Sequence, residues 1–202
     1  MGLRISKTTE IALDECEVPA ENRLGEEGQG LKIALEALDS GRVGIAAQAV
    51  GIAQGALEES ARYAKERRAF GKTIGEFQAI QWMIADMQTE IEAARNLTYY
   101  AATLRDNGSE RAGVYASRAK LYASEMVNRV VYKAVQIHGS IGYSRETSVE
   151  RMYRDARVIS IYEGTSEIQR MVIARDLLAR ASQGMGTVET LASVNAAATR
   201  SR

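Results

Sequence analysis

Residues 77–106 read FQAIQWMIADMQTEIEAARNLTYYAATLRD. Apolar side chains recur at Phe77, Ile80, Ile84, Met87, Ile91 and Ala94, in steps alternating between three and four. That alternation lines one face of a helix and forms the seam of an antiparallel bundle. Asn107-Gly108 follows as the stop, because glycine takes the left-handed conformation that ends helices.

The stretches on either side carry the same period. A longer helix is predicted from about Gln29 to Arg67, with apolar positions at Leu35, Leu38, Ile45, Ala49, Ile52 and Ala56. Gly41, Gly44, Gly51 and Gly55 lie inside it, and each costs about 1 kcal/mol against alanine. Such a helix is expected to meet a neighbour or a ligand at close range. FGKTIG, residues 70–75, is a turn. A third helix is predicted from about Glu110 to His138, with Ala116, Ala119, Ala123, Met126, Val130 and Ile137 on one side. A short helix at Val149–Ala156, an extended or irregular stretch to Tyr162, and a last helix at Ser166–Ala181 complete the pattern. The first residues differ: LRISKTTEIALDECEVP is rich in Thr, Ile and Val and reads as one or two strands ending at Pro19. Two such strands cannot bury a sheet face alone, so they read as the edge of something larger.

The expected fold is an all-α, up-and-down four-helix bundle after a short N-terminal β-strand remnant. Residues 1–27 are the remnant and linker, 28–181 the bundle, and 182–202 a small, polar, flexible tail.

Composition narrows the function classes. The 202 residues balance 26 basic against 26 acidic side chains, with no excess to drive nucleic-acid or membrane-surface binding. Cys16 is the only cysteine and His138 the only histidine, so neither an internal disulfide nor a Cys/His zinc site can form. A reduced, cytoplasmic setting is the simple reading. No apolar run approaches the roughly 18 residues of a membrane span, and MGLRISKTTE lacks the apolar centre of a signal peptide. A single proline, Pro19, agrees with a nearly all-helical chain.

Four short stretches bear on chemistry. In ARVISIYEGTSEIQR, residues 156–170, Glu163 sits between an apolar run and Gly164, just before a helix start. Ser166 and Gln169 fit an S-x-x-Q capping box, and the helix N-terminus suits an anionic or polar ligand. The stretch reads equally as a plain helix start with an exposed glutamate. In KERRAFGK, Arg67 and Arg68 either complement a helix C-terminus or form a phosphate clamp. In QIHGSIGY, Gly139 either stops a helix that His138 caps or lets a ligand approach bare backbone. In LDSGR, Asp39 and Arg42 stand three apart, as surface pairs often do.

Their order in one chain is more specific than any of them alone. LDSGR, YAKERRAFGKTI, FQAIQWMIADM, QIHGSIGY and RMYRDARVISIYEGTSEIQ together resemble the C-terminal helical domain of the flavin-dependent acyl-CoA dehydrogenases, the short-chain (butyryl-CoA) type above all. Residues 2–30 resemble the last strands of that family's middle β-domain. The resemblance implies FAD as cofactor, an acyl-CoA thioester as substrate, and α,β-dehydrogenation with hydride transfer to flavin N5. It implies Glu163 as the catalytic base, its α-proton abstraction assisted by shielding from water and by polarisation of the thioester oxygen. Asp39, Arg42 and Gly164 match substrate-contacting positions. Arg67, Phe70 and Gln78 match a cross-subunit contact to the FAD diphosphate. Gln136, Ile137, His138, Gly139 and Ser140 match the loop along the adenine side, where many relatives have a second glycine in place of Ser140. Thr165, Ser166 and Glu167 match the flavin-contacting helix start. In some relatives the base lies at the position of Gly41, and glycine cannot serve, which leaves Glu163. The resemblance also implies a homo-oligomer (dimer or tetramer), electron-transfer flavoprotein as partner, and a mitochondrial matrix location in a eukaryote. The family's N-terminal helical domain and most of its β-domain have no counterpart here, so the chain is expected to be incomplete and inactive alone. The competing expectation is a non-catalytic, self-associating helical module.

Overall fold

The computed structural model describes residues 1–182 of the chain. Five helices carry it: α1 (Gly30–Glu66), α2 (Gln78–Asp106), α3 (Ala112–His138), α4 (Val149–Ala156) and α5 (Ser166–Ala181). α1 and α2 are joined by a two-stranded antiparallel hairpin, β1 (Arg68–Ala69) and β2 (Lys72–Thr73), with Arg68 opposite Thr73. Its two loop residues, Phe70 and Gly71, both have positive φ, of 51° and 83°, as tight hairpins require. Thr73 and Glu76 then form a reciprocal capping box ahead of α2.

α3 is the central helix and packs against all four others. The α2 seam is buried from Met87 onward, through Ile91, Ala94, Thr98, Ala101 and Leu104, while Ile80 and Ile84 are half-buried. In α3, Ala116, Ala119, Ala123, Met126, Val130 and Ile137 are buried, the face expected from the sequence. Ala46, Ala49, Ala53 and Ala56 of α1 are fully buried, so small side chains let the helices approach closely. The all-α up-and-down bundle is therefore the observed architecture.

Three expectations are corrected. First, the N-terminal strand remnant forms no ladder: residues 1–19 contain no strand, and Ile5, Ile11, Leu13 and Val18 stand exposed with no sheet to pair with. This segment is fixed near its start, where the Leu3 N–H donates to Asp155 Oδ1 at 2.7 Å. Second, the stretch before Tyr162 is a 3-10 turn, Arg157–Ser160, with Ile159 fully buried. Third, the first turns of α1 overhang the bundle. At 37 residues α1 is about 55 Å long against about 40 Å for α3, and Leu35 is exposed rather than part of the core. The tail proposed at 182–202 lies outside the described residues from 183 onward.

Candidate active site

After α4 the chain makes its 3-10 turn, and both Ile161 and Tyr162 donate their N–H groups to the Val158 carbonyl. The Tyr162 hydroxyl donates to Gln48 Oε1 of α1, which anchors the segment to the bundle. Burial raises the Tyr162 phenol above its ordinary range, the bond to Gln48 opposes this, and the charge of Glu163 adds to it.

Glu163 and Gly164 follow, both left-handed, with φ of 54° and 87°. Left-handed backbone is costly for a glutamate, so the surroundings must impose it. Gly164 is required here on two counts. Its φ is positive, and a Cβ there would lie 2.5 Å from Gln169 Nε2. The reversal brings the Glu163 side chain back against α1, where Gly41 makes room: a Cβ at Gly41 would lie 2.5 Å from Glu163 Oε2. Among the described residues, the buried Oε2 has no hydrogen-bond partner and no acceptor takes the Glu163 N–H.

α5 opens differently from the expected capping box. The N-cap is Thr165, whose Oγ1 accepts the Ile168 N–H at 3.3 Å. Ser166 is already helical, and its buried Oγ has no partner among the described residues. The Gln169 side chain does not return to the N-cap N–H. It donates to the Gly164 carbonyl at 3.0 Å and more weakly to that of Glu163 at 3.5 Å, because the left-handed turn presents those carbonyls to it. Lys120 of α3 donates to the same Gly164 carbonyl at 2.7 Å. Glu167, in the first turn of α5, is held below the usual carboxylate range by backbone N–H donation and the Thr165 hydroxyl.

Arg42 is buried, only 7% exposed, whereas the side chain of its partner Asp39 is 43% exposed. The Arg42 Nη1 donates to Asp39 Oδ1 at 2.5 Å and to Ser117 Oγ at 3.4 Å. Its Nε is buried without a partner among the described residues. Gly113 of α3 leaves space for Asp39, since a Cβ there would lie 3.0 Å from Oδ2. A hollow of about 340 Å³ borders Asp39 and Gly113, and another of about 350 Å³ borders Thr165, Ser166 and Glu167. Asp39, Arg42, Glu163, Gly164, Thr165, Ser166 and Glu167 thus form one cluster.

The remaining candidates form a second cluster at the other end of the bundle. Arg67 is the C-cap of α1, Phe70 the hairpin tip, Gln78 the first residue of α2, and Gln136–Ser140 the end of α3. Arg67, Phe70, Gln78, Gln136, Gly139 and Ser140 are exposed, Phe70 to 95%. Ile137 and His138 turn inward. The His138 ring stacks on Tyr63 with centroids 4.5 Å apart, and its Nδ1 lies 2.8 Å from the Ala134 carbonyl. Both residues are buried. Along α1 the two clusters are 26 residues apart, from Gly41 to Arg67, or about 39 Å. One chain does not bring them together.

Lys120, Ser117 and Gln48 are site residues that sequence reading missed. Lys120 alone left a signal: a lysine beside the expected apolar positions Ala116, Ala119 and Ala123. The other two are ordinary polar residues whose roles depend on which helices meet.

The chain matches the family profile described as Acyl-CoA dehydrogenase, C-terminal domain, over residues 28–178. It is 56% identical over 178 residues to caffeyl-CoA reductase-Etf complex subunit CarC of Acetobacterium woodii, covering 88% of this chain and 47% of that protein. It is 50% identical over 174 residues to the short-chain specific acyl-CoA dehydrogenase of Clostridium acetobutylicum, covering 86% and 46%. The structure of butyryl-CoA dehydrogenase from Megasphaera elsdenii superposes with a TM-score of 0.78 at 52% identity, covering 80% of this chain and 42% of that one. The chain spans about half the length of the curated relatives it matches.

Proposed function

The chain belongs to the acyl-CoA dehydrogenase family, and from that premise we propose that it is the base-bearing, subunit-joining half of an FAD-dependent enzyme acting on acyl-CoA thioesters. The observation that carries this is the left-handed Glu163, whose carboxyl, with its Oε2 buried, is seated against Gly41. A carboxylate with an unpaired buried oxygen is set to accept a proton from a carbon acid placed beside it. As the thioester Cα–H bond breaks, its proton goes to Glu163. Negative charge then grows on the thioester oxygen, where the uncommitted Glu163 N–H is a suitable donor. Arg42, held by Asp39 and Ser117, adds fixed positive charge beside the turn. A bound flavin supplies the acceptor for the hydride that leaves the β-carbon. Two relatives have names that include a reductase, and the same carboxyl returns the proton when the reaction runs backward.

The residues fit an FAD. The unpartnered Ser166 Oγ lies at the α5 mouth with Thr165 and Glu167, suited to the polar edge of a flavin. The exposed Arg67, Phe70, Gln78, Gln136, Gly139 and Ser140 suit the diphosphate and adenine side, with Ile137 and His138 packed beneath them. With about 39 Å between the clusters, one chain's clamp serves a site on a second copy. The domain division at residues 27 and 181, the dimeric or tetrameric state, and electron-transfer flavoprotein as partner belong to this same proposal. A relative's name includes an Etf complex. Relatives come from bacteria and from mammalian mitochondria, so the compartment follows the host.

A non-catalytic assembly module is separated from this reading by flavin and mass. A yellow preparation that retains FAD and scatters light as a dimer or larger supports the enzyme. Colourless oligomers indifferent to added FAD support the module, and a sharply monomeric species removes the shared cofactor site.

A further inference from the structure

We propose that Lys120 is a positioning residue of the site: its buried ammonium clamps the Gly164 carbonyl and holds Glu163 in the left-handed conformation that aims its carboxyl at Gly41. This deepens the reading of Glu163 as base and rests on it for the catalytic consequence.

Lys120 is fully buried within α3, beside the buried Ala116, Ala119 and Ala123. Lysine is almost never placed so without a partner, because its charge is costly to remove from water. Its partner is a neutral carbonyl, that of Gly164, at 2.7 Å. The carbonyl belongs to a turn that its own backbone preferences oppose, since Glu163 has a φ of 54°. Gln169 also donates to this turn, but from five and six residues along the same segment. A local tie of that kind lets the turn and the start of α5 move together. Lys120 reaches across 44 residues from a different helix, so its bond fixes the turn relative to the bundle, and therefore to Gly41.

The charges facing the ammonium come from α1, α3, α5 and the turn before α5. Burial first and Arg42 of α1 second bring the Lys120 ammonium down to about 8, against Glu163, Glu125 of α3 and Glu167 of α5, which favour its charged form. The clamp thereby joins two functions, a fixed backbone and a fixed positive charge next to the base.

The test uses the chain as it stands, with lysine labelled by ¹³C at Cε and Lys120 assigned as the resonance lost in Lys120→Met. The Lys120 titration, centred near 8 in the unsubstituted chain, moves to lower pH in Glu163→Gln, because the carboxylate that favoured the ammonium is gone. In Lys120→Met the Ile168 and Gln169 amides, which bond to Thr165, exchange at least about tenfold faster while the α3 amides do not change. Lys120→Gln keeps a donor without the charge and restores part of that protection. Unchanged exchange at Ile168 and Gln169 in Lys120→Met, or a lysine titration indifferent to Glu163→Gln, overturns the proposal. If Lys120→Met does not fold, Lys120→Gln and the Glu163→Gln titration decide it. The base assignment fails separately: it is lost if Glu163→Gln still supports flavin reduction, whatever the lysine does.

Discussion

Replacing Gly41 by alanine sets stability and chemistry against each other. The added Cβ would stand 2.5 Å from Glu163 Oε2 and 3.1 Å from its Cδ. Ordinary carbon contacts begin near 3.4 Å, so the carboxyl must retreat by about 0.9 Å. The retreat is cheap for the fold, because the obstructing atoms are the far end of a flexible side chain. Alanine is also the better helix former by about 0.5–1 kcal/mol. The melting temperature should therefore hold or rise, by up to about 4 °C for a chain of this size. Catalysis should suffer, since a displacement near 1 Å at the reacting group costs about 100-fold in rate. The assay joins this chain to the N-terminal and middle domains of a similar relative and follows bleaching of the flavin on mixing with an acyl-CoA. Gly44→Ala is the control. Nothing lies within 4 Å of its added Cβ, so it gains the helix term and keeps the seat of Glu163. A Gly41→Ala enzyme reducing its flavin within a few-fold of the parent, or melting well below it, would refute the assignment of Gly41 as that seat.

Three other outcomes are expected. Thr165→Ala should cost about 1 kcal/mol in urea unfolding, as loss of an N-cap does, and Ser166→Ala should cost less, because Thr165 is the cap. Ile91→Ala, at a fully buried seam position of α2, should cost about 2–5 kcal/mol in the same measurement. Lys120 should make stability rise with pH. Folded, it loses its proton near 8; unfolded, it keeps it to 10.5. The unfolded chain thus binds more protons between those values, and stability grows across that window by up to about 3 kcal/mol. Urea midpoints at pH 7 and pH 10 should show this rise in the parent, and the difference should be absent in Lys120→Met.

The helices were legible because each carries its own period. The steps of three and four from Phe77 to Ala94 needed no partner to be read, and Gly108 and Gly139 ended helices where their φ values of 66° and 63° allow. The N-terminal segment was not legible for the opposite reason. Thr, Ile and Val favour strands only when a neighbouring strand takes up their hydrogen bonds, and residues 1–19 have none here. At the site, Glu163 and Gly164 were recognisable from their stretch and its family resemblance. The cap at Thr165 and the turn-directed role of Gln169 were not, because both follow from a left-handed turn that adjoining residue types do not announce. Lys120 is the sharper case. Its chemistry depends on which carbonyl the last segment brings over α3, a contact spanning 44 residues.

The central claim is that the shielded carboxyl of Glu163 takes the proton from the substrate carbon. The most direct measurement is stopped-flow flavin absorbance in the completed enzyme carrying Glu163→Gln, a substitution that keeps shape and removes only the base. Retained FAD and acyl-CoA binding, with flavin reduction slowed at least about 100-fold, is the predicted result. Reduction within a few-fold of the parent would contradict the account.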